Sequence, residues 1–129
     1  MPLEKVERSL IPTQLLDLVL PDLPTALQRI LDLGIEGAPL EVCGIIVRDW
    51  EGFRIVQLTN RSEDPSDSYR IDSATLRTLA DKPDFWKHVA VWHTHPGGRV
   101  GPSPGDLATK IPEVKYLVVT VPTGEAVWF

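Results

Sequence analysis

A chain of 129 residues, 43% apolar and 24% charged, is the size of one domain and too apolar for a disordered tail. A net charge of −5 excludes a nucleic-acid grip built on bulk positive charge and leaves room only for a local basic patch. The single cysteine, Cys43, excludes a disulfide framework, and no apolar run approaches the ~20 residues of a membrane span, so we expect a soluble, cytoplasmic protein with no membrane partner.

Twelve prolines and nine glycines divide the chain into short elements, with no internal repeat. The first residues lack the basic start and apolar run of a signal peptide. Residues 13–20 (TQLLDLVL), held between Pro12 and Pro21, read as a short helix packed on the body of the domain. Residues 23–33 carry Leu23, Ala26, Leu27, Ile30, Leu31 and Leu33 at helical spacing, with Gly34 as the expected cap. Residues 42–47 (VCGIIV) read as a buried strand. A turn over Asp49-Trp50-Glu51-Gly52 joins it to a returning strand over 53–58. A polar loop over 60–67 leads to an extended piece over 69–71 and a helix over 72–80, capped by Asp72 or Ser73. Residues 89–92 (VAVW) form the next buried strand, 116–121 (YLVVTV) the clearest one, and 126–129 a partner for it across a Pro-Thr-Gly turn. Pattern alone leads to an α+β or α/β/α arrangement.

The stretch Trp92-His93-Thr94-His95-Pro96 stands apart. Residues two apart on a strand share a face, so both imidazoles can converge on one cation. A Pro/Gly-rich loop follows, and Asp106 falls in a short helix expected over 104–109. Two imidazoles and one carboxylate suit zinc (Zn2+), and three protein ligands leave one tetrahedral position for water, the layout of a catalytic site. The attacking water needs a base, for which Glu41, at the head of a buried strand, is the candidate. Ser103 stands three residues before Asp106, where its hydroxyl can serve a developing oxyanion.

Each residue also has a plainer reading. A lone His-x-His in a strand is usually two ordinary histidines. Ser103 before Pro104 is an unremarkable helix N-cap, and Asp106 in a first turn is favoured by the helix dipole. Glu41 can be a solvated strand end. His88 reads as solvated, Trp86 and Trp92 as core, and Trp50 as either a packed or an exposed turn residue. Cys43 shares the face of Glu41 and reads as a small buried apolar group or a pocket-lining one. Arg99, in the loop over the site, is a candidate contact for a substrate carboxylate.

It is the joint spacing that is unusual. His93-x-His95-Pro96, six residues, Ser103, two residues and Asp106, with Glu41 beside Cys43-Gly44 upstream, resembles the signature of the JAMM (MPN+) zinc metallopeptidases. The downstream part alone arises by chance in roughly 10⁻⁵ of chains this long. The resemblance implies an α/β (α+β) domain, a curved mixed β-sheet flanked by helices in the cytidine-deaminase-like JAMM/MPN fold, over 23–129, with 1–22 as an N-terminal extension. It also implies one Zn2+ held by His93, His95 and Asp106, with Glu41 as general acid/base and Ser103 as oxyanion stabiliser.

Within the family the chain is similar to the prokaryotic and phage branch: the succession Glu41-Val42-Cys43-Gly44, a polar loop from Asn60, Tyr69-Arg70-Ile71-Asp72, His93-x-His95-Pro96 and a final Leu117-Val118-Val119 strand resembles the N-terminal domain of phage tail-tip assembly proteins of the lambda K type. The expectation is that the cell-wall peptidase domain following there is absent here or lies on another polypeptide. The short loop over 96–102 leaves no room for the insertions with which eukaryotic deubiquitinases grip ubiquitin. The resemblance therefore implies a peptidase or isopeptidase acting on a peptide or protein substrate, with phage tail proteins or a ubiquitin-like modifier as candidate partners. A non-catalytic structural or binding module of the MPN type is the alternative.

Overall fold

In the computed structural model residues 14–49, 52–72, 74 and 88–129 are described. Six strands form one mixed sheet in the order β1-β3-β2-β4-β5-β6. They are β1 (Gln14–Leu20), β2 (Cys43–Asp49), β3 (Gly52–Leu58), β4 (Val89–His95), β5 (Lys115–Thr120) and β6 (Ala126–Trp128). Two helices are described in full, α1 (Leu23–Gly37) and α2 (Pro104–Ala108). Only β4 and β5 run parallel; every other pairing is antiparallel. The α+β mixed sheet expected above is the architecture found.

The segment expected as an N-terminal helix is a strand. β1 pairs antiparallel with β3 from Gln14 opposite Leu58 to Leu20 opposite Phe53. Eight residues between prolines make a helix that is marginal by itself, whereas the free edge of β3 offers a full set of backbone partners. Asp17 and Val19 are exposed while Leu18 and Leu20 are half-buried, the alternation of a strand covered on one face. Asp17 receives both arms of the Arg54 guanidinium across the pair, Nε at 2.6 Å.

α1 begins at Asp22, whose Oδ1 accepts from the Thr25 N–H at 2.8 Å, and buries Ala26, Ile30 and Leu33 against the sheet. It does not stop at Gly34, as the sequence predicts, but continues to Gly37, where the Ala38 N–H closes on the Gly34 carbonyl. Gly34 serves close packing instead. A Cβ there would lie 2.7 Å from Val121 Cγ2 and 2.9 Å from Thr94 Cγ2, so only glycine lets the helix sit this near the end of β4.

The sheet is covered on both sides. On one face α1 packs on Ile46, Ile55, Ala90, Trp92, Leu117 and Val119. On the other, Cys43, Ile45, Leu58, Val91 and Tyr116 lie under Ile71 and Val114, with Tyr69 and Phe129 against them. β4 is buried along its whole length, and it runs past the predicted end at 92 to His95. Burial on both faces explains why it reads as a continuous apolar run. Trp92 is core, its Nε1–H donating to the Ile45 carbonyl at 3.0 Å, and His88 is exposed, both as expected. Of the predicted helix over 72–80, only its start is described: Ala74 is helical and its N–H donates to Asp72 Oδ1 at 3.1 Å. Trp50 and Trp86 lie outside the described residues.

Candidate metal centre

Strand alternation turns Ala90, Trp92 and Thr94 towards α1 and leaves His93 and His95 on the opposite face, where they are 0% and 5% exposed. Thr94, between them, is the stitch to the preceding strand. Its Oγ1 accepts from the Val42 N–H at 3.0 Å and its own N–H donates to the Val42 carbonyl at 2.9 Å. That fixes the residue after Glu41 against the residue between the histidines, and so brings the Glu41 carboxylate to them. Glu41 is only 6% exposed, and its Oε1 has no hydrogen-bond partner among the described residues. The solvated-strand-end reading is thereby set aside.

The chain then turns back over the site. Gly98 and Gly101 hold φ of +84° and +79°, a region that side chains with a Cβ rarely adopt. Thr120 Oγ1 ties the loop down by donating to the Arg99 carbonyl at 2.8 Å. The loop delivers α2, whose N-terminus is a reciprocal capping box: Ser103 Oγ accepts from the Asp106 N–H at 3.1 Å, and the Ser103 N–H donates to Asp106 Oδ2 at 2.8 Å. The cap reading of Ser103 is therefore correct, and its hydroxyl proton stays free to donate. The cap also aims Asp106 at the histidines.

Asp106 Oδ2 lies 3.0 Å from His93 Nε2 and 3.2 Å from His95 Nε2, and the two Nε2 atoms are 3.1 Å apart. Three donor atoms in a near-equilateral triangle match one face of a zinc tetrahedron, whose edge is about 3.3 Å for ligands at ~2.05 Å. Glu41, His93 and His95 also offer ligand atoms within 4.8 Å of one another, a buried group able to hold a metal ion. The donor set, two imidazoles and carboxylate oxygen, is one that zinc accepts.

Electrostatics support the same view. Burial holds the His93 imidazole below its usual pKa despite Asp106, which favours the neutral ring a metal needs. Burial also opposes protonation of His95, but the hydrogen bond to Asp106 and the charges of Glu41 and Asp106 outweigh it and raise its pKa. Burial would lift Asp106, yet hydrogen bonds from both histidines and the Ser103 backbone hold it well below the carboxylate range. Glu41 has no such donors, and burial, countered in part by His95, raises it to about 7. Two carboxylates in one site thus differ in proton affinity, the pattern that separates a ligand from a proton carrier.

The sequence offers Asn60 and Tyr69 only as part of the family resemblance and assigns no role at the site to them or to Thr94. The Tyr69 ring stacks on His93 with centroids 4.2 Å apart and planes at 21°, and burial pushes its hydroxyl well above the usual tyrosine range. Nothing periodic links Tyr69 to the histidine motif, so no local signal could reveal the contact. Cys43 lies opposite His93 in the sheet but is wholly buried, its Sγ 3.7 Å from the Leu58 carbonyl, and burial raises its thiol to about 12. It is a core residue, not a pocket one. The centre opens into a cleft of about 590 Å³ with Ser66, Asp67 and Ser68 on one side and Gly97, Arg99 and Thr109 on the other.

The family model described as prokaryotic homologs of the JAB domain (Prok-JAB) matches residues 24–129. The chain belongs to the Prok-JAB family. β1 precedes the matched region, and every other strand of the Prok-JAB sheet lies inside it. The chain is similar to a protein from Salinibacter ruber (strain DSM 13855) with a known solution structure. The two share 24% identity over 84% of this chain and 77% of that one, with a TM-score of 0.46. No curated protein matches the chain. Among the described residues no helix is long and apolar enough to cross a membrane.

Proposed function

We propose that this Prok-JAB domain is a zinc-dependent hydrolase of peptide or isopeptide bonds. The observation that carries the reading is the 3.0–3.2 Å triangle of His93 Nε2, His95 Nε2 and Asp106 Oδ2 beside buried Glu41, whose Oε1 has no hydrogen-bond partner among the described residues. His93, His95 and Asp106 would hold one zinc ion, which when bound activates a water and polarises a carbonyl. Glu41 takes the proton of the attacking water and passes it to the departing amine nitrogen; a carboxyl with a pKa raised to about 7 suits both halves of that task. The Ser103 hydroxyl, whose oxygen already caps α2, turns its proton towards the oxyanion. The cleft lies between the 66–69 and 96–109 segments and has a volume of about 590 Å³.

The sequence resemblance to phage tail-tip proteins supports a tail-assembly setting, and the family in general supports a ubiquitin-like modifier as the alternative substrate. Zinc-loaded protein offered tail-protein peptides and modifier fusions, with Glu41→Gln as control, tests the reading. Cleavage by the wild type and none by the variant is expected. Cutting by Glu41→Gln at the wild-type rate would overturn the assignment of the base. No cutting of any substrate, with zinc bound, would favour a structural module that uses the metal as a staple.

A further inference from the structure

Glu41 precedes β2 and takes no part in the sheet ladder, so something else must hold it. Both of its backbone groups bond to the segment over 60–70: its N–H donates to the Pro65 carbonyl at 2.7 Å, and its carbonyl accepts from Asn60 Nδ2 at 2.9 Å. Asn60 does more. Its second Nδ2 proton goes to the Ser68 carbonyl at 2.9 Å, and its Oδ1 accepts from the N–H groups of Ser62 and Arg70, each at 3.0 Å. A carboxamide has two donors and two acceptor lone pairs, and here all four are used. The partners fix its orientation, since two carbonyls demand the amide nitrogen and two N–H groups demand the oxygen. Ser68 and Arg70 flank Tyr69, the ring stacked 4.2 Å from His93.

We propose that Asn60 is the positioning residue of the metal centre, a single carboxamide that sets Glu41 and the Tyr69 ring in a fixed relation to His93. It touches no donor atom of the triangle and acts only through these two residues. Aspartate cannot replace it, because it keeps both acceptors but loses both donors and turns a negative oxygen towards two carbonyls. The inference rests on the proposed metal site for its zinc readout, but its geometric part stands without it.

The test uses the full chain with Asn60→Ala and Asn60→Asp, followed by three measurements: zinc affinity by competition with a chelator, amide hydrogen exchange, and the NMR shifts of the His93 ring protons. In Asn60→Ala we expect zinc affinity to fall, by up to about tenfold, because the Tyr69 ring that packs on His93 is released. The Glu41 amide should exchange at least about tenfold faster, and the His93 ring signals should lose the displacement that the Tyr69 ring current gives them. In Asn60→Asp the Glu41 amide should likewise exchange faster, while the Arg70 amide stays protected. Amides of β4 and β5 should keep wild-type protection in both. Zinc affinity within twofold, with Glu41 exchange and His93 shifts unchanged, would overturn the proposal. So would loss of sheet protection in both variants, which would make Asn60 a folding residue. A wild type that binds no zinc would instead defeat the metal reading, with exchange and ring shifts still deciding the role of Asn60.

Discussion

The two faces of β4 are built by different rules. Towards α1, Ala90, Trp92 and Thr94 meet close-packed apolar groups, and Trp92 and Thr94 satisfy their polar atoms on β2 and the residue before it. Towards the cleft, the same strand buries two imidazoles, and the Nδ1 of His93 has no hydrogen-bond partner among the described residues. Buried polar atoms left unpaired cost about 1–3 kcal/mol each, so this face is maintained at the expense of stability. One strand thus serves both: its α1 face is core throughout, and its other face passes from core at Val89 and Val91 to the candidate metal site at His93 and His95. Substitutions of His93 and His95 should remove function with less loss of stability than substitutions of Trp92 or Ala90 on the α1 face.

The largest expected effect is that of Glu41→Gln, a fall in turnover of about 10²–10⁴-fold with zinc retained and the melting temperature not lowered, checked by kinetics beside metal analysis. Parallel loss of zinc would make Glu41 a ligand instead. Ser103→Ala should follow. Removing an oxyanion donor lowers turnover by about 10²–10³-fold, and losing the α2 cap costs roughly 1 kcal/mol, seen in a urea titration. Stability loss without the kinetic loss would reduce Ser103 to its capping role.

On the other face, Gly34→Ala should leave zinc binding intact in the folded protein but cost about 1–3 kcal/mol, because the new methyl meets Val121 and Thr94 side chains. An unchanged melting temperature would show that α1 can move off β4 freely. The smallest effect concerns pH in the metal-free protein. Glu41 holds its proton more tightly in the folded state, about 7 against 4.5, so its contribution to stability falls as pH rises through that window, by at most roughly 3 kcal/mol. His93 is shifted the opposite way and His95 upward, the latter partly by the Glu41 charge, so the difference between wild type and Glu41→Gln reports the glutamate together with its coupling to His95. That difference should grow from pH 4.5 to 7 in favour of the variant and then level off. A flat difference would place Glu41 in contact with water.

What the sequence made legible follows the range of the forces involved. Period-two alternation places His93 and His95 on one face, and the Ser103-Pro104 pair carries the helix cap offered as its plainer reading; both depend on neighbours a few residues away, whereas the aim of Asp106 at the histidines shows only in the structure. Residues 13–20 were misread because their strand exists only through the edge of β3, and local leucine density says nothing of that edge. Gly34 was misread as a helix end because the reason for a glycine there lies in Val121 and Thr94, far along the chain. Asn60 and Tyr69 enter the sequence reading only through the resemblance and without a role at the site, on the same ground: their partners, Glu41 and His93, belong to other elements.

The zinc content of purified protein, wild type beside His95→Ala, tests the central claim most directly. About one zinc ion per chain in the wild type and close to none in a folded variant is the predicted result. Zinc absent from the wild type even after incubation with excess metal, or unchanged in His95→Ala, would contradict the account.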